Sequence, residues 1–181
     1  MRNLSNIKYD KNIFRTLLHE ESEVGGIPYD MSINFGNPNS PINIIEVINP
    51  YCKHCALSHR IIENLLKEKD ISVQLVFFVQ ESSDQLTNKL VKLLFALKEK
   101  DNTNNISTVL NDWFEQGIDD DEYLKEKYNI DENLLDKQQI RLDWMTSWCK
   151  RNNIQYTPSL FINHRLLPKI YKYKDIKFLF L

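Results

Sequence analysis

Two apolar segments with a helical segment between them dominate the pattern of hydrophobic and polar positions. Residues 42–48 form an aliphatic run, and residues 72–79 form a run rich in β-branched and aromatic side chains. Short apolar runs of this kind predict buried strands. Between them, residues 52–69 carry apolar side chains at helical spacing. A strand, a helix and a strand in this order predict a right-handed crossover onto a parallel sheet.

The chain before this unit is mostly polar. A helical pattern covers residues 11–21, and residues 31–35 could form a short strand. The sequence GNPNSP at residues 36–41 predicts a turn. We therefore divide the chain into an N-terminal extension, residues 1–30, and a single domain, residues 31–181.

After the second predicted strand, the hydrophobic period becomes helical for about seventy residues. No Pro- or Gly-rich linker bounds this block, which predicts an insertion at about residues 83–152 that packs on the sheet. The last helix should bury Ile140, Trp144 and Trp148, with Met145 as a further candidate. The four predicted helices begin at a capping box of Ser82 with Gln85, at Asn105 (ending at Gly117), at the acidic run 119–121, and at Asp131 or Asp136.

The final segment returns to the strand pattern. Residues 159–163 and 166–170 predict two strands joined at Asn163-His164, and residues 175–181 predict a short terminal helix. Pro168 cannot donate to a ladder, so its strand should lie at an edge of the sheet. The predicted fold class is therefore α/β, with a helical insertion between a βαβ half and a ββα half.

Composition and charge narrow the class of protein. The chain has 181 residues, of which 42% are hydrophobic and 27% charged, which is typical of one globular domain. A formal net charge of -2 with dispersed basic residues argues against a nucleic-acid surface. No apolar run is long enough to span a bilayer, and the polar N-terminus does not resemble a signal peptide. Three alternatives stay open: a cytoplasmic protein, a chain whose signal has been removed, or a soluble piece of a larger membrane protein.

The candidate chemistry lies between the first strand and the first helix, at Cys52-Lys53-His54-Cys55. Pro50 disfavours helix at the residue before it, so the helix should begin just after Pro50, with Cys52 in or near its first turn. The positive end of the helix dipole and the unpaired N–H groups there favour a thiolate. Cys55 lies one turn further on the same face and can close a disulfide with Cys52. The motif predicts a dithiol that cycles between reduced and oxidised forms.

Three neighbouring residues support this interpretation. Lys53 and His54 add positive charge or hydrogen-bond donors beside the sulfurs, and stabilising the reduced form makes a disulfide more oxidising. Glu46 interrupts the aliphatic strand, where a carboxylate is costly to bury. If its side chain points under the helix, it could accept a proton from Cys55; otherwise it faces solvent on an alternating strand.

Taken together, these motifs resemble the thioredoxin-like superfamily, in particular its DsbA-like branch of thiol–disulfide oxidoreductases. The matching features are the CxxC after a strand, an acid six residues before it, a histidine before the second cysteine, and YTPSLFIN at residues 156–163. The last of these is similar to the family's cis-proline loop and the strand that follows it. The chain also resembles the thioredoxin-like domain found fused to vitamin K epoxide reductase modules.

The resemblance implies a role for each matching residue. Cys52 would be the nucleophile and Cys55 the buried resolving thiol. Thr157 and a cis Pro158 would pair with an extended substrate. His164 departs from the glycine usual in the family, which leaves the shape of that hairpin open. The implied activity is oxidation or isomerisation of protein disulfides outside the cytoplasm, without a cofactor beyond the Cys52–Cys55 disulfide. The implied partners are protein thiols and a quinone-linked membrane module of the vitamin K epoxide reductase kind.

Other functions remain open at this stage. A binding or adaptor module could use the CxxC for structure or for zinc, with His54 or His59 as a further ligand, although no second ligand pair at metal spacing is present. A cytoplasmic disulfide reductase is a third alternative. Cys149, on the last predicted helix, is interpreted as a small buried apolar residue.

Overall fold

The computed structural model describes residues 7–79, 85–100, 103–116 and 121–179. A five-stranded sheet in the order β1-β3-β2-β4-β5 organises these residues. The strands are β1 (Ile33–Gly36), β2 (Asn43–Ile48), β3 (Ser72–Phe77), β4 (Ser159–Ile162) and β5 (Arg165–Leu166).

Helices cover both faces of this sheet. In the described residues they are α1 (Lys11–Glu20), α2 (Lys53–Glu68), α3 (Gln85–Glu99), α4 (Thr103–Asn111), α5 (Asp121–Lys127), α6 (Glu132–Asp136) and α7 (Gln139–Arg151). Shorter turns of helix supplement them: 3₁₀ turns at Tyr29–Met31 and Tyr173–Phe178, and a π-helical turn at Asp112–Gln116. Within the described residues, no helix combines the length and the apolar character needed to cross a bilayer.

The topology confirms the predicted fold class. β2 and β3 pair in parallel and are joined by α2, while β4 pairs antiparallel to β2, and β5 to β4. β1 adds to the other side of β3 in an antiparallel sense. The helices α3 to α7 lie in sequence between β3 and β4, between the two halves of the sheet.

The two faces of β2 contact different layers, which fixes the direction of its side chains. Ile45 and Val47 belong to the core built with the inserted helices, in which Phe95 and Trp148 are also buried. Ile44 belongs to the core built with α2 and the C-terminal 3₁₀ turn. Side chains alternate along a strand, so Glu46 lies on the same face as Ile44, towards α2. Burial on both faces explains why β2 is almost continuously aliphatic.

The insertion differs from the prediction near its end. Ile140 is 62% exposed, not buried, because it lies on the opposite side of α7 from the buried residues Leu142 and Met145. The predicted single last helix is two helices, α6 and α7, and the side chain of Gln138 between them is buried and donates to Glu99 Oε2 at 2.9 Å. Trp148 is buried as predicted, while Trp144 is only half-buried and stacks on it.

The C-terminal strands are shorter than predicted. β5 ends at Leu166, since the chain turns at Pro168, whose carbonyl accepts from the Tyr171 N–H at 2.8 Å. A residue without an N–H cannot extend the ladder. The terminal helix is a 3₁₀ turn that begins two residues earlier than predicted. Asn163 and His164 both adopt positive φ (47° and 70°), so the tight hairpin forms without glycine.

The segment after α1 extends the sheet beyond β5. The Val24 N–H donates to the His164 carbonyl at 2.9 Å, and the Leu166 N–H donates to the Ser22 carbonyl at 3.0 Å. Glu23 forms an isolated antiparallel bridge with Arg165. Part of the region before residue 31 is thus hydrogen-bonded to the edge of the sheet.

Several predicted helix signals lie outside the described residues. These are the Ser82 end of the capping box, Gly117 as a helix end, and Asp119 and Asp120. The second inserted helix begins at Thr103 rather than at Asn105.

Candidate active site

Cys52 occupies the N-cap of α2, the position that the Asn49-Pro50 break predicts. Its backbone is extended (φ -88°, ψ 114°), and its carbonyl accepts the first bonds of the helix, from the N–H groups of Cys55 at 2.9 Å and Ala56 at 3.3 Å. No side chain caps the helix here. The partly exposed sulfur of Cys52 therefore lies beside N–H groups that the helix itself does not use.

Hydrogen bonds favour the thiolate of Cys52. Burial opposes its ionisation, but hydrogen bonds from the side chain and backbone of Cys55, from the Thr157 side chain and from the His54 backbone outweigh burial and lower the pKa of Cys52. A lowered pKa increases the nucleophilic fraction at neutral pH.

Cys55 has the opposite environment one turn further along α2. Its side chain is fully buried, and burial raises its pKa to about 12, although the Asn49 N–H donates to its sulfur at 3.4 Å. Both cysteines are free thiols in the structure. The pair therefore consists of one accessible, readily ionised thiol and one buried, protonated thiol.

The loop before β4 contacts the sulfur of Cys52. The Thr157–Pro158 peptide bond is cis, and the Thr157 carbonyl accepts from Cys52 Sγ at 3.6 Å. Cys52 and Thr157 are 105 positions apart in sequence. They meet because β4, which follows Thr157, pairs with β2, the strand that leads into the CxxC.

The insertion also contacts the loop of the active site. Trp113 Nε1, from the π-helical turn, donates to the Pro50 carbonyl at 3.0 Å. The Tyr51 ring packs edge-on against the Trp113 ring, with 5.2 Å between centroids. The inserted helices therefore help to hold the turn that precedes Cys52.

Glu46 is fully buried beneath α2 and is not solvent-facing. It accepts a short hydrogen bond from Ser58 Oγ, and its Oε2 lies 3.3 Å from His59 Nδ1. Burial, together with the charges of Glu46 and Cys55, raises the pKa of Tyr173.

His59, which the sequence suggested only as an alternative zinc ligand, contacts the buried carboxylate of Glu46. It is 4% exposed and lies between two carboxylates, since its Nε2 is 3.9 Å from Glu63 Oε1. Burial opposes its protonation, but the hydrogen bond and charge of Glu46 and the charge of Glu63 outweigh burial and raise the pKa of His59. The available signal was spacing: Ser58 and His59 follow Cys55 by three and four residues, on the buried face of α2.

Lys53 and His54 are exposed at the start of α2. The contact of His54 with Cys52 is made by its backbone N–H, while its side chain lines a groove beside the CxxC. In the parts of the chain that the structure describes, no group of three or more His, Cys, Asp or Glu side chains could hold a metal ion. Cys149 is buried within the apolar core, as predicted.

Comparisons with known proteins agree with this geometry. The sequence model of a family described as thioredoxin matches residues 29–179. No curated protein sequence matches the chain.

Solved structures of similar fold come from several bacteria. Oxidised BdbD from Bacillus subtilis has a TM-score of 0.66 at 17% identity, covering 86% of this chain and 95% of BdbD. The catalytic domain of ScsC from Proteus mirabilis has a TM-score of 0.62 at 13% identity, covering 91% of each chain. The thiol–disulfide exchange protein α-DsbA2 from Wolbachia pipientis has a TM-score of 0.59 at 14% identity, covering 95% of this chain and 93% of that protein. With a family match over most of its length, the chain belongs to the thioredoxin family, and its fold is that of DsbA-like proteins.

Proposed function

We propose that this protein is a thiol–disulfide oxidoreductase in which Cys52 exchanges disulfides with protein substrates. The observation that carries the proposal is the asymmetry of the two sulfurs. Cys52 is accessible and has a lowered pKa, while Cys55 is buried with a pKa of about 12. One sulfur is thus suited to attack or to be attacked, and the other is protected from solvent thiols.

In the oxidising direction, a substrate thiolate attacks Cys52 of the Cys52–Cys55 disulfide. The substrate–Cys52 bond forms, the Cys52–Cys55 bond breaks, and Cys55 leaves as a thiolate that takes up a proton. A second substrate thiolate then attacks the substrate sulfur of this mixed disulfide. The attack releases the substrate disulfide and the Cys52 thiolate. Two electrons pass from the substrate to the protein.

Thr157, Pro158 and Glu46 support this exchange. The Thr157 carbonyl lies 3.6 Å from Cys52 Sγ, where the backbone of an extended substrate can pair beside the reacting sulfur. Glu46 lies beneath α2 and is bonded to residues one turn beyond Cys55, a position suited to moving a proton to or from Cys55. His59 fixes the orientation of Glu46.

The hydrogen bonds that stabilise the Cys52 thiolate stabilise the reduced protein, which favours dithiol oxidation or isomerisation over reduction. Lys53 and His54 add positive charge at the same end of the helix. We place the activity outside the cytoplasm, with protein thiols as substrates. A quinone-linked membrane module of the vitamin K epoxide reductase kind would return the dithiol to the disulfide.

The reduction potential of the Cys52–Cys55 pair tests the direction. Equilibration with glutathione should give a value above about -200 mV, towards the potentials of protein disulfide isomerase and DsbA. A value near about -270 mV, as in thioredoxin, would instead indicate a reductase. Thiol titration with and without a chelator tests the metal-holding alternative, which requires chelator-dependent folding.

A further inference from the structure

A groove lies beside the CxxC, on the exposed side of α2. It has a volume of about 480 Å³, within the range of ligand-binding clefts. Leu57 and Ile61 of α2 form one wall, and the Tyr156–Pro158 loop with residues 172–174 forms the other. Leu57 is 58% exposed and Tyr156 is 56% exposed, so apolar surface at the groove is open to solvent.

Lysines line the side of the groove opposite α2. Lys172 and Lys174 line the groove itself, and Lys174 and Lys177 line an adjoining cleft of about 220 Å³ that shares Ile61. Glu68, at the far end of the adjoining cleft, is the acidic residue among these lining side chains. The surface is therefore basic, although the whole chain has a formal net charge of -2.

The acidic residue closest in sequence to these lysines already has other partners. Asp175 is 2% exposed, and its carboxylate accepts from Lys8 Nζ at 2.6 Å, from Tyr9 OH at 2.8 Å and from the Lys172 backbone N–H at 2.8 Å. Among the residues that the structure describes, no carboxylate lies within salt-bridge distance of Lys172, Lys174 or Lys177. Their positive charge is available to a bound partner.

We infer that the lysines of this groove select substrate segments that carry acidic residues near the reacting cysteine. The acidic residues face Lys172 and Lys174. The inference rests on the proposed function, because the ligand is the polypeptide that exchanges its thiols with Cys52. It adds a substrate class that the CxxC chemistry alone does not specify.

Matched peptides test the inference with the oxidised protein. Each peptide carries two cysteines and two leucines, and the peptides differ only in a pair of Glu, Gln or Lys residues beside the first cysteine. Each peptide loses two protons and two electrons to the Cys52–Cys55 disulfide, which yields a peptide disulfide and the protein dithiol. Exposed ion pairs are weak, so kcat/KM should rise by about 3- to 10-fold from the Lys peptide to the Glu peptide at low salt.

Two variants separate recognition by the groove from the intrinsic reactivity of the peptides. Lys172→Glu/Lys174→Glu should reverse the order of the Glu and Lys peptides. Lys11→Glu/Lys137→Glu makes the same change in net charge at exposed positions that do not line the groove, and it should keep the wild-type order. Dividing the Glu- and Lys-peptide rates of each protein by its own Gln-peptide rate removes any change in the intrinsic reactivity of Cys52. If the Lys172→Glu/Lys174→Glu protein folds poorly, Lys172→Gln/Lys174→Gln replaces it. In that protein the Glu and Lys peptides should be oxidised equally well.

Equal rates for the three peptides, or an unchanged order in the Lys172→Glu/Lys174→Glu protein, would overturn the inference and leave the proposed function intact. A dimer in sedimentation that Leu57→Glu disrupts would also overturn it, since a second copy would then occupy the groove. Failure to oxidise any peptide, including the neutral one, would overturn the proposed function and the inference together.

Discussion

Cys52 and Cys149 show how two helical cysteines of one chain acquire different chemistry. Burial opposes ionisation at both positions. At Cys149, inside α7, nothing offsets burial, and the pKa rises to about 12. At Cys52, the donors at the start of α2 and in the Thr157 loop outweigh burial and lower the pKa. The comparison indicates that the hydrogen bonds at the helix start and from the Thr157 loop account for the lower pKa of Cys52, since only burial acts on the pKa of Cys149.

The largest difference should appear when serine replaces each cysteine in turn. Cys52→Ser removes the proposed nucleophile, so kcat/KM for peptide oxidation should fall at least about 1,000-fold. Cys149→Ser should leave kcat/KM within about twofold. Stopped-flow measurements of dithiol loss check both values, and exchange that persists in Cys52→Ser would exclude its role.

Alkylation of the reduced protein should separate the two thiols directly. At pH 7, iodoacetamide should modify Cys52 at least about 100-fold faster than Cys149, because only the thiolate reacts. The lowered pKa of Cys52 also means that its thiolate stabilises the folded reduced protein above the ordinary thiol pKa, and that this contribution is lost as pH falls through the folded pKa. Mass spectrometry of each cysteine over time measures the rates, and equal rates would contradict the comparison.

Changing His59 tests whether the buried Glu46–His59 pair stabilises the fold through its charges. His59→Gln should lower the free energy of unfolding by about 2–4 kcal/mol, because it leaves Glu46 without its charged partner. The folded pKa of His59 is raised, so its contribution is fully present below pH of about 6.5 and is lost as pH rises through the folded pKa. The difference in free energy of unfolding between wild type and His59→Gln should therefore decrease as pH rises.

Urea unfolding at several pH values measures this trend. His19→Gln, at an exposed histidine of α1, is the matched control and should show no such trend. A difference that stays constant with pH would mean that His59 contributes through packing alone.

A smaller effect is expected on stability at Cys149. Cys149→Ser places a hydroxyl in an apolar core and should lower the free energy of unfolding by about 1–3 kcal/mol. Cys52→Ser, at a partly exposed N-cap where serine is favourable, should not be destabilising. The two serine variants would then have opposite profiles, one losing activity and the other stability. Thermal unfolding followed by circular dichroism checks this, and equal losses would contradict it.

The smallest effect is expected far from both cysteines, at the hairpin between β4 and β5. His164→Gly removes the steric penalty of a positive φ and should raise the free energy of unfolding by about 0.5–1 kcal/mol. His164→Ala retains the penalty and should give no gain. The alkylation rates of Cys52 and Cys149 should not change in either variant; a change would show that the hairpin is coupled to the site.

The βαβ half of the fold followed from sequence because its signals are local. The aliphatic run of β2, the Pro50 break and the spacing along α2 each lie within a few residues. The boundaries near the C-terminus were wrong because tertiary contacts decide them. β5 consists of the two residues that pair with β4 on one side and lie beside the Ser22–Val24 segment on the other, and the chain turns at Pro168 soon after; the apolar pattern of residues 166–170 does not show where this pairing begins and ends.

The site was predictable where a residue type has few other uses. CxxC at a strand–helix junction and an acid within an aliphatic strand are unusual patterns, whereas a histidine on an amphipathic helix is common. The spacing after Cys55 puts His59 on the same side of α2, but it does not show that His59 faces Glu46, because that contact requires the packing of α2 on the sheet. Trp113 was likewise not singled out from the sequence, although its indole N–H donates to the Pro50 carbonyl.

The hydrogen bonds between the Ser22–Val24 segment and β5 have a consequence for behaviour at high concentration. An unpaired strand edge is a template on which another chain can add. Here the outer edge of the two-residue β5 is already paired with the chain's own N-terminal region. Another chain therefore cannot add a strand to the outer edge of β5 without displacing residues 22–24.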